Sequence, residues 1–340
     1  MSNSSKPRLC VVEQSPVRRG GSGADALQET IELAIAAEQL GYDRFWLAEH
    51  HSFSSIASIS PEILIGVVGA ATRRIRVGSG GVMLPHYSAF KVAETFRTLE
   101  TLYPNRIDLG LGRAPGGDPR TALALAYPGR PRDVREYPAQ IDDLMGFLAD
   151  DLPSGHPFAG LSAGPPTPGM PEVWLLGSGI ESARLAADRG LPFSFAHFFG
   201  VSDQGPAIVD HYRHHFRPSK RWGEPRVHIA VQVLCAETKE EAEWHASSLK
   251  LARLQMARNA LGQGIVPPEE AAAYEYDPAE LAFLERSGLR ATTGDPQSVR
   301  RELLEITQRY AADELGIVTT CFDFQARRRS FELVAEALLG

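Results

Sequence analysis

Four short segments of this chain end in residues that could bind a ligand or move a proton. The Glu-His-His sequence at 49–51 offers imidazole groups, which titrate close to neutral pH. The Gly-Ser-Gly-Gly sequence at 78–81 would let a flat ligand approach the backbone closely. Arg113 carries a permanent charge suited to phosphate. The Gly-Ser-Gly turn at 177–179, with Ser182 after it, offers hydroxyl and backbone N–H groups to an anion.

Each of these segments also has a structural explanation. Adjacent strand residues point to opposite faces, so only one of His50 and His51 is expected at a site, and the HExxH spacing of zinc enzymes is absent. The glycines at 78–81 lack the GxGxxG and P-loop patterns and could form a tight corner. A glycine-rich turn near Arg113 is also common without any ligand. On these residues alone, both interpretations stay open for the histidines and for 78–81, whereas an ordinary βα turn is favoured for Arg113 and 177–179.

The four segments follow apolar runs that predict β-strands, and a helical pattern follows almost every such run. Eight strand–helix units with continuously apolar strands favour an α/β fold, a (β/α)8 TIM barrel, over an open doubly wound sheet. In such a barrel the carboxyl ends of the strands form the active face, which would bring the four segments together. The predicted strands are 9–12, 44–48, 75–84, 106–112, 173–177, 191–196, 227–236 and 315–320. The predicted helices are 25–40, 61–72 (with Ser60 as N-cap), 88–102, 132–150, 180–189, 203–216, 238–261, 295–310 and 326–339.

Two stretches interrupt this alternation. Residues 113–170 and 262–293 are irregular and contain many prolines and glycines, as long βα loops do. We therefore interpret 1–340 as a single barrel domain with loop insertions after strands four and seven.

Composition excludes several other classes of protein. The net charge is −7, and no basic face is evident, which disfavours nucleic acid as a partner. No run reaches the ~20 apolar residues of a membrane span, and the amino terminus lacks a signal-peptide pattern, so a cytoplasmic location is expected. The three cysteines are far apart within apolar runs, which favours buried thiols over a metal or redox site. His211 and His215 share a helix face, and a polar outer surface is favoured there.

Three segments together resemble the bacterial luciferase-like flavin-dependent monooxygenase family. They are GYDRFWLAEHH at 41–51, RIRVGSGGVMLPHYSAFKVAETFRTLETLYPNRIDLGLGRAPG at 74–116 and VWLLGSGIESARLAADRGLP at 173–192. The resemblance extends over nearly the whole chain. It implies a barrel that takes FMN, supplied reduced by a separate NAD(P)H-dependent reductase, and reacts it with O2 through a C4a-peroxyflavin to oxygenate a small, largely apolar substrate.

The resemblance also assigns roles to individual residues. His50 would assist the oxygen chemistry, and Gly80 and Gly81 would carry a non-prolyl cis peptide beneath the flavin ring. The phosphate would be bound by Arg113 and by four residues of the 177–182 turn (Gly177, Ser178, Gly179 and Ser182), with Arg132 as a looser match. The 262–293 insertion would close over the substrate as a lid, pocket side chains would include Phe195, His197 and Phe198, and the protein would be a homodimer.

Departures from the luciferase pattern indicate a non-luminescent member. Gly112 stands in place of a cysteine, Ser178 in place of an acidic residue and His197 close to the place of a tryptophan. Two other functions remain open: a deazaflavin-dependent dehydrogenase on the same barrel, and a flavin-binding protein without catalysis.

Overall fold

The computed structural model describes residues 6–113, 117–167, 169–199, 204–258, 264–286 and 291–340. Parts of several predictions lie outside them: 114–116 and 168 of the first insertion, 203 and 259–261 at two helix ends, and 262–263 and 287–290 of the second insertion. The strands are β1 (Arg8–Glu13), β2 (Arg44–Leu47), β3 (Arg76–Met83), β4 (Ile107–Gly112), β5 (Glu172–Gly177), β6 (Phe193–Ala196), β7 (Val227–Cys235), β8 (Ala291–Gly294) and β9 (Glu314–Val318). The helices are α1 (Gly23–Leu40), α2 (Pro61–Ala71), α3 (Ala89–Leu102), α4 (Pro119–Ala126), α5 (Tyr137–Ala149), α6 (Ile180–Asp188), α7 (Gly205–His215), α8 (Lys239–Ala257), α9 (Pro268–Ala272), α10 (Pro278–Arg286), α11 (Pro296–Tyr310) and α12 (Phe324–Leu339).

Eight of these strands close into a parallel barrel wrapped by helices, as the sequence predicts. Strands β1 to β7 pair in chain order, and β9 lies between β7 and β1 and closes the ring. Strand β8 was not predicted, because it falls within the stretch interpreted as irregular. Gln232 pairs with Val318 of β9 on one edge of β7 and with Ala291 of β8 on the other. On that edge of β7, β6 pairs as far as Ala230, and β8 pairs from Gln232 onward.

Side chains along each strand alternate between two cores. Leu9 and Val11 of β1 pack outward beneath the helices, whereas Cys10 and Val12 lie in the barrel interior. The same period of two follows from the pleat of every strand. The interior holds two indole rings, Trp46 and Trp174, whose ring centroids are 5.4 Å apart in an edge-to-face arrangement. Glycine at position 80 leaves room for one of them, because a Cβ there would lie 3.0 Å from Cβ of Trp46.

The amino-terminal end of the barrel is filled by buried ion pairs. Arg44, 1% exposed, donates to Glu314 at 2.8 Å and to Asp108 at 2.7 Å. Arg76 adds a 2.6 Å contact to Asp108. Burial acts to raise the pKa of Asp108, but the two guanidinium groups outweigh it and lower that pKa. Removing one member of such a buried pair costs about 3–5 kcal/mol, because it leaves an uncompensated charge.

His228 of β7 lies just above these ion pairs. Its ring packs against Trp46 with centroids 4.6 Å apart, and its Nδ1 is 2.8 Å from the Ser194 hydroxyl. Burial, followed by the charge of Arg44, lowers the pKa of His228 to about 3. The imidazole is therefore neutral at physiological pH and belongs to the core.

The two insertions contain more regular structure than the sequence indicated. The first holds α4 as well as the predicted helix, and the second holds α9, α10 and the start of β8. Ser60 precedes α2 as predicted, but its side chain accepts no capping hydrogen bond, so Pro61 alone supplies the predicted start signal. None of the helices in the described residues combines the length and apolar character needed to cross a bilayer.

The segment 264–286 is attached to the barrel at two places. Its backbone forms a bridge with the loop after β1, in which the Arg19 N–H donates to Ile265 at 2.8 Å and the Ile265 N–H donates to Val17 at 3.0 Å. Arg19 also pairs with Glu270 of α9. Leu251 and Leu254 of α8 pack against the segment from the other side.

Candidate active site

The carboxyl end of β3 carries an irregularity at the predicted glycines. Ser79 pairs with Leu109 of β4 and Val82 pairs with Leu111, so two residues of β3 oppose one residue of β4. Those two residues are Gly80 and Gly81, and the peptide bond between them is cis, as the resemblance implied. A Cβ at Gly81 would lie 2.6 Å from the Gly110 carbonyl oxygen, so only glycine fits this approach of the two strands.

Glu49 connects the end of β2 to this irregularity. The ladder between β2 and β3 stops at Leu47 and Ser79, and beyond it the Glu49 carboxylate accepts the Met83 N–H at 3.0 Å. Its other oxygen accepts the Tyr87 hydroxyl at 2.7 Å and lies 2.7 Å from Nε2 of His51. Glu49 is 1% exposed, so these donors replace the water that a carboxylate would otherwise bind.

The two adjacent histidines have different surroundings. His51 belongs to the Glu49 cluster, whereas Nδ1 of His50 is buried and has no hydrogen-bond partner among the described residues. The His50 ring contacts Phe53 edge to face. Burial lowers the pKa of His50, against the opposing effect of the Glu49 charge, which favours a neutral imidazole at physiological pH. A neutral ring with one unpaired nitrogen can exchange a proton with a ligand.

Arg113 and the turn after β5 end two neighbouring strands. Leu111 of β4 pairs with Leu175 of β5. Arg113 and Gly177 each come two residues after this pair, so they lie at corresponding positions of the two strands. Arg113 is exposed and makes no ion pair within the described residues. Gly179 is the N-cap of α6 without a side-chain hydrogen bond, so the first N–H groups of α6 are available to an anion.

Ser182 packs close to the turn. A Cβ at Gly177 would lie 2.5 Å from Cβ of Ser182, so glycine at 177 brings this serine close to the strand end. A Cβ at Gly179 would meet no atom of the described residues within 4 Å, so they leave space over the first turn of α6. Ser178 is partly exposed between the two glycines. These residues place hydroxyl and backbone N–H groups, which bind small anions, at the end of β5.

Other residues predicted near the pocket have different positions. Phe195 is wrong as a pocket residue, because it shares the outward side of β6 with Phe193 and packs on Tyr310 with centroids 5.6 Å apart. His197 places its Nδ1 3.0 Å from the Tyr310 hydroxyl and borders a cavity of ≈ 730 Å³ lined mainly by α11. Phe198 packs against the barrel interior. Arg132 is exposed and 3.9 Å from Glu136.

Sequence reasoning missed the roles of Glu49 and Tyr87. Glu49 stood in the Glu-His-His motif, and a buried acid directly before two histidines was a signal that it orients one of them. Tyr87 gave no such signal, because its contact depends on the path of the chain after β3. Among the described residues, no group of three or more His, Cys, Asp or Glu side chains is arranged to hold a metal ion.

Comparison with known proteins identifies close relatives. Residues 9–313 match the model of a family described as luciferase-like monooxygenase. An N-acetyl-S-alkylcysteine monooxygenase of Bacillus subtilis is 36% identical over 98% of both chains. The crystal structure of apo-MsnO8 is 41% identical, with a TM-score of 0.89 over 97% of this chain and 98% of that one.

More distant structures share the fold with different cofactors. The oxygenating constituent of 3,6-diketocamphane monooxygenase from Pseudomonas putida, in complex with FMN, has a TM-score of 0.73 at 17% identity, covering 98% of each chain. An F420-dependent secondary alcohol dehydrogenase has a TM-score of 0.66 at 15% identity, covering 98% of this chain and 99% of that one. At such identities the likeness shows the fold alone.

Proposed function

The chain belongs to the luciferase-like monooxygenase family, and from this we propose that it is a non-luminescent, FMN-dependent monooxygenase. Its substrate would be a small, largely apolar organic molecule. The observation that carries the proposal is the Gly80–Gly81 irregularity, at which a partly exposed glycine, Gly80, lies at the end of β3 beside the buried Glu49 cluster and next to β4.

The residues present suit FMN at both of its ends. The phosphate would be bound by the Arg113 guanidinium and by the free N–H groups at the start of α6, with Ser178 and Ser182 beside them. Gly80 and Gly81 would support the ring, and the open space over Gly179 fits the passage of the ribityl phosphate. Bound reduced FMN supplies the electrons for activating O2.

The chain's own contribution is to hold this ligand and to control protons. We assign proton exchange to Nδ1 of His50, which is buried and has no partner among the residues that the structure describes, while Glu49 fixes the backbone on which the ring would lie. Shielding from bulk water would come from Phe198 and from the two insertions, and the second insertion would close as a lid.

Replacement of His50 tests the catalytic assignment. His50→Ala should leave FMN affinity almost unchanged and reduce oxygenation by about 100-fold or more, the scale of acid–base assistance. Products would be measured by mass spectrometry with FMN, a flavin reductase and a compound library that includes N-acetyl-S-alkylcysteines. Unchanged turnover would remove His50 from the mechanism. A wild-type protein that binds FMN without forming any product would support a binding protein.

A deazaflavin-dependent dehydrogenase is the second candidate, because the F420-dependent alcohol dehydrogenase shares the barrel. A parallel titration with FMN and F420 separates the two. Tight binding and turnover with F420 alone would overturn the monooxygenase proposal.

We propose that reduced FMN comes from a separate NAD(P)H-dependent reductase, since the chain carries no dinucleotide fingerprint.

We also propose a homodimer formed through α2. Ile63 and Val67 of α2 are 64% and 43% exposed, and Ile59, just before the helix, is 51% exposed, so three apolar side chains lie on this part of the surface. Ile63→Asp should give a monomer in light scattering, whereas Leu123→Asp on α4 should leave the mass unchanged. A dimeric Ile63→Asp variant would place the interface elsewhere.

A further inference from the structure

Gln232 of β7 has a buried side-chain N–H group to which no acceptor is offered by the described part of the chain. The residue is 5% exposed, and its Nε2 has no hydrogen-bond partner among the described residues. A buried N–H group without an acceptor costs free energy, because it has lost water and gained nothing in exchange. Such a group in a barrel interior indicates a place where a ligand atom is expected to supply the acceptor.

The direction of this side chain follows from the alternation along β7. Val231 and Val233 belong to the outer core, so Gln232 between them faces the barrel interior. His228, which points to the same side of β7 because it lies an even number of residues away, packs on Trp46 inside the barrel. Gln232 is four residues further toward the carboxyl end of β7, the end at which the candidate active site lies.

Three contacts place Gln232 at the height of the glycine irregularity. Gln232 is the ladder partner of Val318. Val318 lies in the interior cluster that contains Val12. A Cβ at Gly80 would be 3.7 Å from a methyl carbon of Val12. Gln232 and Gly80 therefore belong to one layer of the interior, on strands that stand opposite each other in the eight-stranded ring.

We propose that Gln232 contacts the cofactor, and that its side-chain amide donates a hydrogen bond to a carbonyl oxygen of the flavin ring lying over Gly80 and Gly81. The assignment rests on the proposed FMN binding. The sequence motifs place the flavin-binding residues at the ends of β2 through β5, and Gln232 adds a specificity residue on β7. The ligand chemistry it selects is a planar heterocycle whose edge carries a carbonyl acceptor.

Gln232→Met tests the proposal, because methionine has nearly the same shape and cannot donate. The measurement is the Kd of FMN for the full-length protein, followed by flavin fluorescence. We expect Gln232→Met to raise this Kd about tenfold, the effect of losing one hydrogen bond in a dry site. Gln232→Glu should weaken binding at least as much, since a carboxylate at neutral pH offers no donor.

Thr319→Val is the matched control. Thr319 is also buried, and its side-chain oxygen has no partner within the described ranges. It follows the inward-facing Val318, and its carbonyl accepts from Arg327 outside the barrel. This variant should leave the FMN Kd within about twofold of wild type, the spread expected for a neutral substitution.

The thermal midpoint of the cofactor-free protein separates a ligand contact from a structural role. Because no described residue accepts a hydrogen bond from Nε2 of Gln232, Gln232→Met should leave that midpoint unchanged or raise it while weakening FMN binding. A lowered midpoint together with weaker binding would overturn the proposal in favour of a packing role. An unchanged FMN Kd would overturn it too, and changed product formation at unchanged Kd would assign Gln232 to the substrate instead. If the wild-type protein does not bind FMN, the proposed function itself has failed.

Discussion

Gly81→Ala should damage both stability and cofactor binding. The new Cβ would lie 2.6 Å from the Gly110 carbonyl oxygen and 2.8 Å from its carbon. Both are backbone atoms, so no rotamer change can relieve the overlap and the two strands must separate by several tenths of an ångström. Overpacking of this kind costs about 1–3 kcal/mol.

That cost converts into a measurable shift of the thermal midpoint. The entropy of unfolding is about 2.1 cal/mol/K per residue, or about 0.7 kcal/mol/K for a chain of 340 residues. A loss of about 2 kcal/mol therefore lowers the midpoint by about 3 °C. If FMN binds over Gly80 and Gly81 as proposed, displacement of this backbone should also raise the Kd of FMN about tenfold, equivalent to about 1.4 kcal/mol.

Scanning calorimetry and a flavin fluorescence titration measure the two effects. Gly223→Ala is the matched control, because a Cβ at this exposed loop position meets no atom within 4 Å and its stability should stay within about 0.5 kcal/mol of wild type. If Gly81→Ala matches wild type in both midpoint and FMN affinity, the close approach of β3 and β4 is not rigid and the reasoning from Gly110 is refuted.

Three further predictions concern Arg113, the buried core residue His228 and the Glu49–Tyr87 contact. Arg113→Ala should weaken FMN binding roughly 10- to 100-fold through loss of a charge-assisted contact. The affinity for riboflavin, which has no phosphate, should not change. An equal loss of affinity for both ligands would show that Arg113 does not bind the phosphate. The unfolding free energy should fall by up to about 1.4 kcal/mol per pH unit below pH 6.5, because His228 stays neutral in the folded protein down to a pKa of about 3 while the unfolded histidine takes up a proton. His228→Gln should flatten that dependence in urea titrations, and His214→Gln, at an exposed site, should not. Glu49→Gln and Tyr87→Phe should each lower the free energy of unfolding by about 1–2 kcal/mol. If the double variant lowers it by the sum of the two single effects, the two side chains are not coupled through their 2.7 Å contact.

The barrel could be predicted because its strands are encoded locally. Apolar runs such as VWLLG at 173–177 end in glycine or polar residues and alternate with helical patterns, which fixes strand number and order without knowledge of contacts. The same local signals placed His50, Arg113 and the glycines at strand ends.

What could not be predicted depends on contacts between distant segments. Strand β8, with the sequence ATTG, is too short and polar to register as a strand, and forms because β6 leaves an open edge on β7. Glu49 acquires its role only when β3 brings Met83 beside it. The error at Phe195 was avoidable, since Phe193 and Phe195 share the parity of outward-facing positions on β6.

The ion pairs at the amino-terminal end of the barrel have a consequence for the order of events in turnover. Arg44, Asp108 and Glu314 are buried and mutually paired, so they close this end to small molecules. Whatever reaches Gly80 must then enter and leave through the opposite opening. A ligand that lies on Gly80 would have to bind before a second ligand binds above it. It could dissociate only after the second ligand has dissociated. The architecture thus favours compulsory-order kinetics, with the deeper molecule binding first and departing last.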